Sequence, residues 1–99
     1  MASYGTIMIG KLKSGASVDD WRKSLEDWKT RNVPGFQGEY TLVSDEGRTI
    51  VSCVTFESKD LYFQLANDPE QDKWYQAKVA PMLDGDPQWI DGTWPAQPD

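Results

Sequence analysis

The order in which the hydrophobic period changes along the chain is what most constrains its fold. The stretch "YGTIMIGKL", residues 4–12, is rich in β-forming residues and has apolar side chains on both alternating sets, which predicts a strand buried on two faces. "QGEYTLVS" and "RTIVSCVTFES", residues 37–44 and 48–58, predict two more strands, joined as an antiparallel hairpin through "DEG". "QWIDGTW", residues 88–94, predicts a last short strand.

A first helix is predicted between the first two strands. Ser17 is placed to cap it, and two aspartates in its first turn suit the positive end of a helix. The helix should end near Asn32, because Pro34 disfavours helical geometry at the residue before it. Its apolar side follows helical spacing through Val18, Trp21, Leu25 and Trp28.

A second helical region lies between the third and fourth strands. It begins near Ser58 with "SKDLYFQLA", and a second start follows at "DPEQ", where Asp68 is the predicted cap and Pro69 stands in the first turn. Pro81 is expected to bend or end this region.

This order of strand, helix, strand, strand, helix, strand predicts an α+β, ferredoxin-like βαββαβ fold: a four-stranded antiparallel sheet with both helices on one face. We expect a single domain over residues 1–99, with residues 94–99 as a loose C-terminal tail. The strand patterns leave the other face of the sheet apolar and bare. A homodimer in which two copies close these open faces against each other would bury it.

Charge and cysteine content narrow the partners and the compartment. The net charge is -6 and no face collects Lys or Arg, so neither nucleic acid nor an anionic membrane is expected as a partner. No segment approaches membrane-spanning length, and the N-terminal stretch does not have the pattern of a signal peptide. The single cysteine, Cys53, suits a reducing compartment and is expected to be a small buried hydrophobe. A cytoplasmic protein is therefore predicted.

Over nearly its whole length the chain resembles the dimeric α+β barrel superfamily, and within it the antibiotic biosynthesis monooxygenase type. The resemblance is carried by the element order, by "NVPGF" after the first helix, by "VTFESKDLYFQLAND" from the third strand into the second helical region, and by "WYQAKVAPML" before the last strand. These motifs are signatures of a fold rather than of a catalytic centre, because the scaffold hosts unrelated chemistries.

The resemblance argues against haem degradation. Members that degrade haem use a histidine on the second helical segment as iron ligand, with an asparagine on the first strand and a tryptophan on the second helix. This chain contains no histidine; Thr6 or Met8 stands where the asparagine would lie, and Leu65 falls near the tryptophan position. The lack of histidine also excludes a histidine-based metal site.

Members that oxidise polycyclic phenols or quinols work without metal or flavin, because the substrate itself reacts with oxygen. The resemblance thus implies a cofactor-independent monooxygenase, or a related isomerase or cyclase, acting on a small aromatic or polyketide-like molecule in a hydrophobic pocket. The alternative is a non-catalytic dimeric protein of the same fold that binds a small ligand or serves as an accessory. The first hypothesis predicts an aromatic-walled cavity with Arg31, Asn32 or a tyrosine hydroxyl turned inward. The second predicts a filled interior, or a pocket that lacks any acid or base.

The catalytic residues are left unknown, but the resemblance suggests lining residues for such a pocket. Polar contacts would come from Arg31 and Asn32 at the end of the first helix. Structural roles compete with this: Arg31 can pair with Asp27 four residues earlier, and Asn32 can simply end the helix. The candidate aromatic walls are Trp28, Phe36, Tyr62, Trp74 and Tyr75.

The adjacent Trp74 and Tyr75 need separate places on their helix. Tyr75 shares a helical face with Val79 and Met82, which favours core packing, whereas Trp74 lies about 100° round the helix. We therefore predict one core ring and one boundary ring at an edge, an interface or a pocket mouth, and leave pocket lining open for both. Without histidine, any proton transfer is left to Tyr, Asp, Glu or the substrate itself.

Overall fold

The computed structural model describes residues 3–95, in which four strands form one antiparallel sheet. The strands are β1 (Ser3–Lys11), β2 (Phe36–Val43), β3 (Thr49–Phe56) and β4 (Gln88–Trp94), in the spatial order β2-β3-β1-β4. Every neighbouring pair is antiparallel. With the helices described below, this confirms the predicted ferredoxin-like arrangement.

Helix α1 (Val18–Lys29) starts and stops where local sequence directs it. The Ser17 hydroxyl accepts from the Asp20 amide, and the Asp20 carboxylate accepts from the Ser17 amide, both at 3.1 Å, which satisfies two exposed helix-terminal donors. Beyond the helix Asn32 adopts the left-handed conformation with φ 51°, which turns the chain toward β2. The predicted end near Asn32 is confirmed.

The second helical region consists of α2 (Lys59–Ala66), α3 (Pro69–Lys78) and a 3₁₀ turn at Ala80–Met82. Ser58 and Asp68 cap the two helices through their side-chain oxygens, as predicted. Pro81 lies in the 3₁₀ turn, so the helix ends there, also as predicted.

The core lies where the helices cover one face of the sheet. Alternate residues of β1 and β3 point to this face, and Ile50 and Phe56 of β3 are fully buried there. Aromatic and aliphatic groups from α1 and the 3₁₀ region complete the core cluster of Met8, Leu12, Trp21, Ile50, Val79 and Leu83.

The opposite face of the sheet is apolar and open. Tyr40 is 71% exposed, Leu42 63% and Ile90 49%. The register aligns Tyr40 and Ile90 with Cys53 and Ile7 in one row across the sheet, and Leu42 lies in the next row of the same face. Cys53, predicted to be buried, is partly exposed because no element between residues 3 and 95 covers this face.

Strand β2 carries a bulge near its start. Phe36 pairs with Phe56 and Gly38 with Thr55, so Gln37 is an extra residue between two regular pairs. Its amide oxygen accepts a hydrogen bond of 2.8 Å from the Ser3 hydroxyl. The bulge lets Phe36 and Glu39 face the helices together, although three positions separate them.

The end of the chain differs in part from the predicted tail. Trp94 is the last residue of β4, and its indole N–H reaches the Val54 carbonyl at 3.2 Å, so the tail does not begin at residue 94. Residues 96–99 of the predicted tail lie outside the described residues. Between residues 3 and 95, no helix is long and apolar enough to cross a membrane.

Candidate functional site

A cavity of about 390 Å³ lies between the helices and the covered face of the sheet. Small-molecule sites typically have volumes of about 300–1,000 Å³. Much of the wall is aromatic, with rings from α1, β3, α2, α3 and β4: Trp21, Trp28, Phe56, Tyr62, Trp74, Tyr75 and Trp89. The interior is therefore not filled, and its surface suits a flat, largely apolar molecule.

The rings are held by contacts with one another. Trp28 packs edge-on against Phe36 with centroids 4.4 Å apart and lies 6.5 Å from Trp74. On the opposite side Tyr75 approaches Trp89 at 5.9 Å, which joins α3 to β4. Aromatic pairs at these separations each add about 0.5–1.5 kcal/mol beyond area burial. Several ring–ring contacts, and not one alone, therefore hold the cavity walls in place.

A carboxylate stands in this aromatic wall. Glu39 of β2 accepts a hydrogen bond of 2.6 Å from the Ser52 hydroxyl and one of 3.1 Å from the Thr41 hydroxyl. The indole N–H of Trp21 in turn donates a hydrogen bond of 3.4 Å to the Thr41 hydroxyl. Burial raises the pKa of Glu39 above 4.5, although the bonds from Ser52 and Thr41 and the charge of Lys29 lower it in part. A carboxylate so placed is a stronger base than a solvated one.

Tyr62 is polar but is committed elsewhere. Its hydroxyl donates 2.9 Å to the Asp91 carboxylate, which bridges α2 to β4 beside the cavity. Burial raises the pKa of Tyr62 to about 12; a hydrogen bond with Thr6 lowers this pKa in part, and the bond to Asp91 and its charge raise it. The phenol therefore stays protonated at neutral pH and is no candidate for a proton acceptor.

Side-chain hydrogen bonds to Gln71 and from Trp74 tie the end of α1 to α3. The Gln71 side-chain oxygen accepts from Arg31 at 2.7 Å and from the Trp28 indole at 3.2 Å. Asp27, the predicted partner of Arg31, instead accepts 2.9 Å from the Trp74 indole. The predicted Arg31–Asp27 pair is therefore wrong, because both groups find partners on α3.

The structure separates the seven candidate lining residues. Trp28, Tyr62, Trp74 and Tyr75 line the cavity. Phe36 lies behind the wall, against Trp28 and Phe56, while Arg31 lines a smaller neighbouring pocket with Val33, Pro34 and Leu61. Asn32 is exposed and lines neither space, in keeping with its role in ending the helix.

The prediction of one core ring and one boundary ring at Trp74 and Tyr75 is wrong. Both are half-buried, and both line the cavity. The physical reason is that α3 buries none of its residues fully, since the cavity takes up space that a packed core would fill.

Sequence reasoning missed the carboxylate. Glu39, Thr41 and Val43 alternate in "GEYTLV", so the same parity that puts Val43 against the core puts Glu39 there too. The sequence feature that could have identified Glu39 is a single acidic residue at a strand position whose alternate neighbours face the core. The described residues contain no cluster of three or more Asp, Glu or Cys side chains arranged to hold a metal ion.

The described residues form a ferredoxin-like α+β fold with an aromatic cavity between the helices and the sheet. Several solved structures share this fold. The ActVA-Orf6 monooxygenase of Streptomyces coelicolor, solved with nanaomycin D, matches with a TM-score of 0.71 at 21% identity, covering 99% of this chain and 91% of that one. SnoaB, a cofactor-independent oxygenase from Streptomyces nogalater, matches with a TM-score of 0.67 at 13% identity, covering 99% and 95%.

A hydroxynitrile lyase from Passiflora edulis also matches, with a TM-score of 0.64 at 13% identity, covering 97% of both chains. At these identities the likeness establishes the fold alone, and the lyase shows that the fold carries more than one chemistry. No protein-family model matches the sequence, and no curated protein matches it. The antibiotic biosynthesis monooxygenase-like fold predicted from the sequence is confirmed.

Proposed function

We propose that this protein is a cofactor-independent oxygenase acting on a small aromatic or polyketide-like phenol or quinol. The observation that carries the proposal is the Glu39 carboxylate in the wall of an aromatic cavity, held by two hydroxyl donors and with its pKa raised by burial. The structural likeness to monooxygenases supports it at the level of fold.

In the proposed reaction Glu39 takes the phenolic proton, and the resulting electron-rich anion reduces molecular oxygen. Oxygen adds to a ring carbon that still carries its hydrogen, and the proton held by Glu39 converts the peroxide to C–OOH. Loss of water, which takes that hydrogen and the outer oxygen, then leaves C=O. One oxygen atom enters the product and the other leaves as water, so the substrate supplies all the electrons. The contribution of the protein is to orient the ring against the aromatic walls and to accept and return one proton.

Oxygen uptake with anthrol-type or quinol substrates tests this function. Glu39→Gln keeps the size and the hydrogen bonds of the side chain but removes the base, so kcat should fall by at least about 100-fold. Glu26→Gln, an equal charge change on the exposed side of α1, is the control and should leave the rate unchanged. Ring binding without oxygen uptake would favour the non-catalytic alternative, and isomerised or cyclised product without oxygen uptake would favour an isomerase or cyclase.

The rate of oxygen uptake should depend on pH in a defined direction. The base is available only when Glu39 has lost its proton, and burial moves that step above pH 4.5. Activity should therefore rise with pH through the raised pKa of Glu39. A rate that is flat across this range would contradict the assignment.

The open face of the sheet is the proposed homodimer interface. Its central positions carry no charged side chain, and Tyr40, Leu42 and Ile90 are largely exposed in the single chain. An uncharged apolar face is self-complementary, so a second copy related by a two-fold axis would cover it. The proposed compartment is the cytoplasm, since the lone Cys53 on this face has no disulfide partner within the chain.

Light scattering coupled to size-exclusion chromatography tests the interface. The native chain should run as a dimer and Leu42→Glu as a monomer, because a buried unpaired carboxylate strongly opposes association. Gln64→Glu adds the same charge on the exposed side of α2 and should remain dimeric. A monomeric native chain at assay concentrations would refute the proposal.

A further inference from the structure

The cavity has an unbalanced charge. Apart from tyrosine, the ionisable side chains in its wall are Glu39 and Asp72, and both are acidic. No Lys or Arg is among the described residues that line it, and the chain has no histidine. An anion inside this cavity would meet no cationic side chain.

The cationic side chains nearest to Glu39 and Trp74, those of Lys29 and Arg31, lie outside the cavity wall. Lys29, exposed on the last turn of α1, lowers the pKa of Glu39, but it is the smallest of the causes. Arg31 donates to Gln71 and stands 5.9 Å from the ring centre of Trp74, and it lines the smaller pocket instead. Tyr62 and Tyr75 also face the cavity, and burial raises the pKa of each, so both are uncharged at neutral pH.

Glu39 is thus a half-buried acid in the cavity wall whose direct partners are two hydroxyls. Buried carboxylates are usually paired with a cation, because removal from water is costly without one. A second negative charge within a few ångströms would add repulsion that water screens less than it does at the open surface of the protein. A protonated amine would instead supply the missing partner, and the surrounding aromatic faces attract cations as well.

We propose that this cavity selects its occupant by charge: it admits uncharged aromatic molecules, holds protonated aromatic amines more tightly, and excludes aromatic carboxylates, with Glu39 as the residue that sets the selectivity. The proposal concerns the same site as the proposed function, but it rests on the charge of the walls and not on the oxygen chemistry.

Charge selection and catalysis interact in a defined way. When an uncharged phenol gives its proton to Glu39, the negative charge moves from protein to substrate and the net charge of the filled cavity is unchanged. A bound ammonium group favours the ionised form of Glu39 and so weakens it as a proton acceptor. Protonated amines should therefore be competitive inhibitors, and uncharged phenols should be substrates.

Three naphthalene probes of nearly equal size test the selectivity by isothermal titration calorimetry at neutral pH: 2-naphthol, 2-naphthylmethylamine and 2-naphthoic acid. The ammonium probe should bind more tightly than the naphthol, and the carboxylate about 100-fold or more weakly. In Glu39→Gln the ammonium advantage should disappear, and the carboxylate should come within about tenfold of the naphthol. Glu26→Gln should keep the native order of affinities.

The outcomes separate the two proposals. Naphthoate binding as tightly as naphthol in the native chain, or a selectivity unchanged by Glu39→Gln, would overturn charge selection. Failure of all three probes to bind would overturn both proposals. The predicted order of affinities without oxygen uptake on any phenol would sustain charge selection and overturn only the oxygenase.

Discussion

The hydrogen bond from Ser52 to Glu39 gives a stability change whose pH dependence can be worked out in advance. Ser52 is 4% exposed and donates to the carboxylate at 2.6 Å. Ser24, 7% exposed and in the same cavity wall, donates to the Trp21 carbonyl at 2.7 Å. The acceptor is charged for Ser52 and uncharged for Ser24, so Ser24→Ala is a control for the pH dependence of Ser52→Ala. The absolute losses are not compared, because Ser24 lies in α1 and Ser52 in β3.

A bond to an ionised acceptor contributes about 1.5–3 kcal/mol, and a neutral one about 0.5–1.5 kcal/mol. Ser52→Ala should therefore lower the free energy of unfolding by about 2 kcal/mol at neutral pH and by about 1 kcal/mol where Glu39 is protonated. The sign follows from linkage: the Ser52 bond lowers the pKa of Glu39, so its loss raises that pKa further and removes stability on the alkaline side. Ser24→Ala should change the free energy of unfolding by the same amount at both pH values, because its acceptor is an uncharged carbonyl.

Urea unfolding at neutral pH and below pH 4.5, the ordinary pKa of a glutamate, measures the difference. A loss of about 2 kcal/mol moves the midpoint by roughly 1 M at the slopes usual for small domains. Equal losses for Ser52→Ala at the two pH values would refute the view that Glu39 is a desolvated carboxylate held by this hydroxyl. The same refutation would follow if Ser24→Ala showed the pH dependence instead.

Three further changes have defined outcomes. Glu39→Gln should raise the neutral-pH melting temperature but leave it nearly unchanged below pH 4.5, because a raised pKa makes ionisation unfavourable to folding; equal shifts at both pH values would contradict this. Gly35→Ala should lower the free energy of unfolding by about 2–5 kcal/mol in urea, and Gly47→Ala by about 1–2 kcal/mol. Both glycines have φ near +82°, but only at Gly35 would the added Cβ lie 2.6 Å from a Leu61 side-chain carbon. Equal losses would contradict this steric argument. Tyr62→Phe should lower the free energy of unfolding by about 1 kcal/mol, because it removes the hydrogen bond that joins α2 to Asp91 of β4. An unchanged melting temperature would show that this bond does not stabilise the fold.

The fold could be predicted because local signals agree with one another. Ser17, Ser58 and Asp68 each cap a helix in the structure, and the alternating apolar sets of β1 and β3 are divided between the covered and open faces as their parity requires. Such features depend on neighbours in sequence, and they are readable without knowing the tertiary contacts.

The site could be predicted only in part, because its geometry depends on contacts between distant segments. Four of the five proposed aromatic walls line the cavity, since large rings on inward faces have few other places to go. The partners of Arg31 and Trp74 come from 40 and 47 residues away and leave no periodic trace in the sequence. Glu39 was readable by parity, but the cavity that gives it meaning is visible only once the helices are in place.

The bulge at Gln37 decides where β2 can change length. Because Gln37 is the extra residue between two regular pairs, its removal would leave Phe36, Gly38 and Glu39 on the faces that they now occupy. Removal of Tyr40 would shift the strand by one and turn Glu39 toward the open face, which would take the carboxylate from the cavity and place it on the apolar surface. In sequences that share this cavity, insertions and deletions of one residue in β2 should therefore be confined to the bulge.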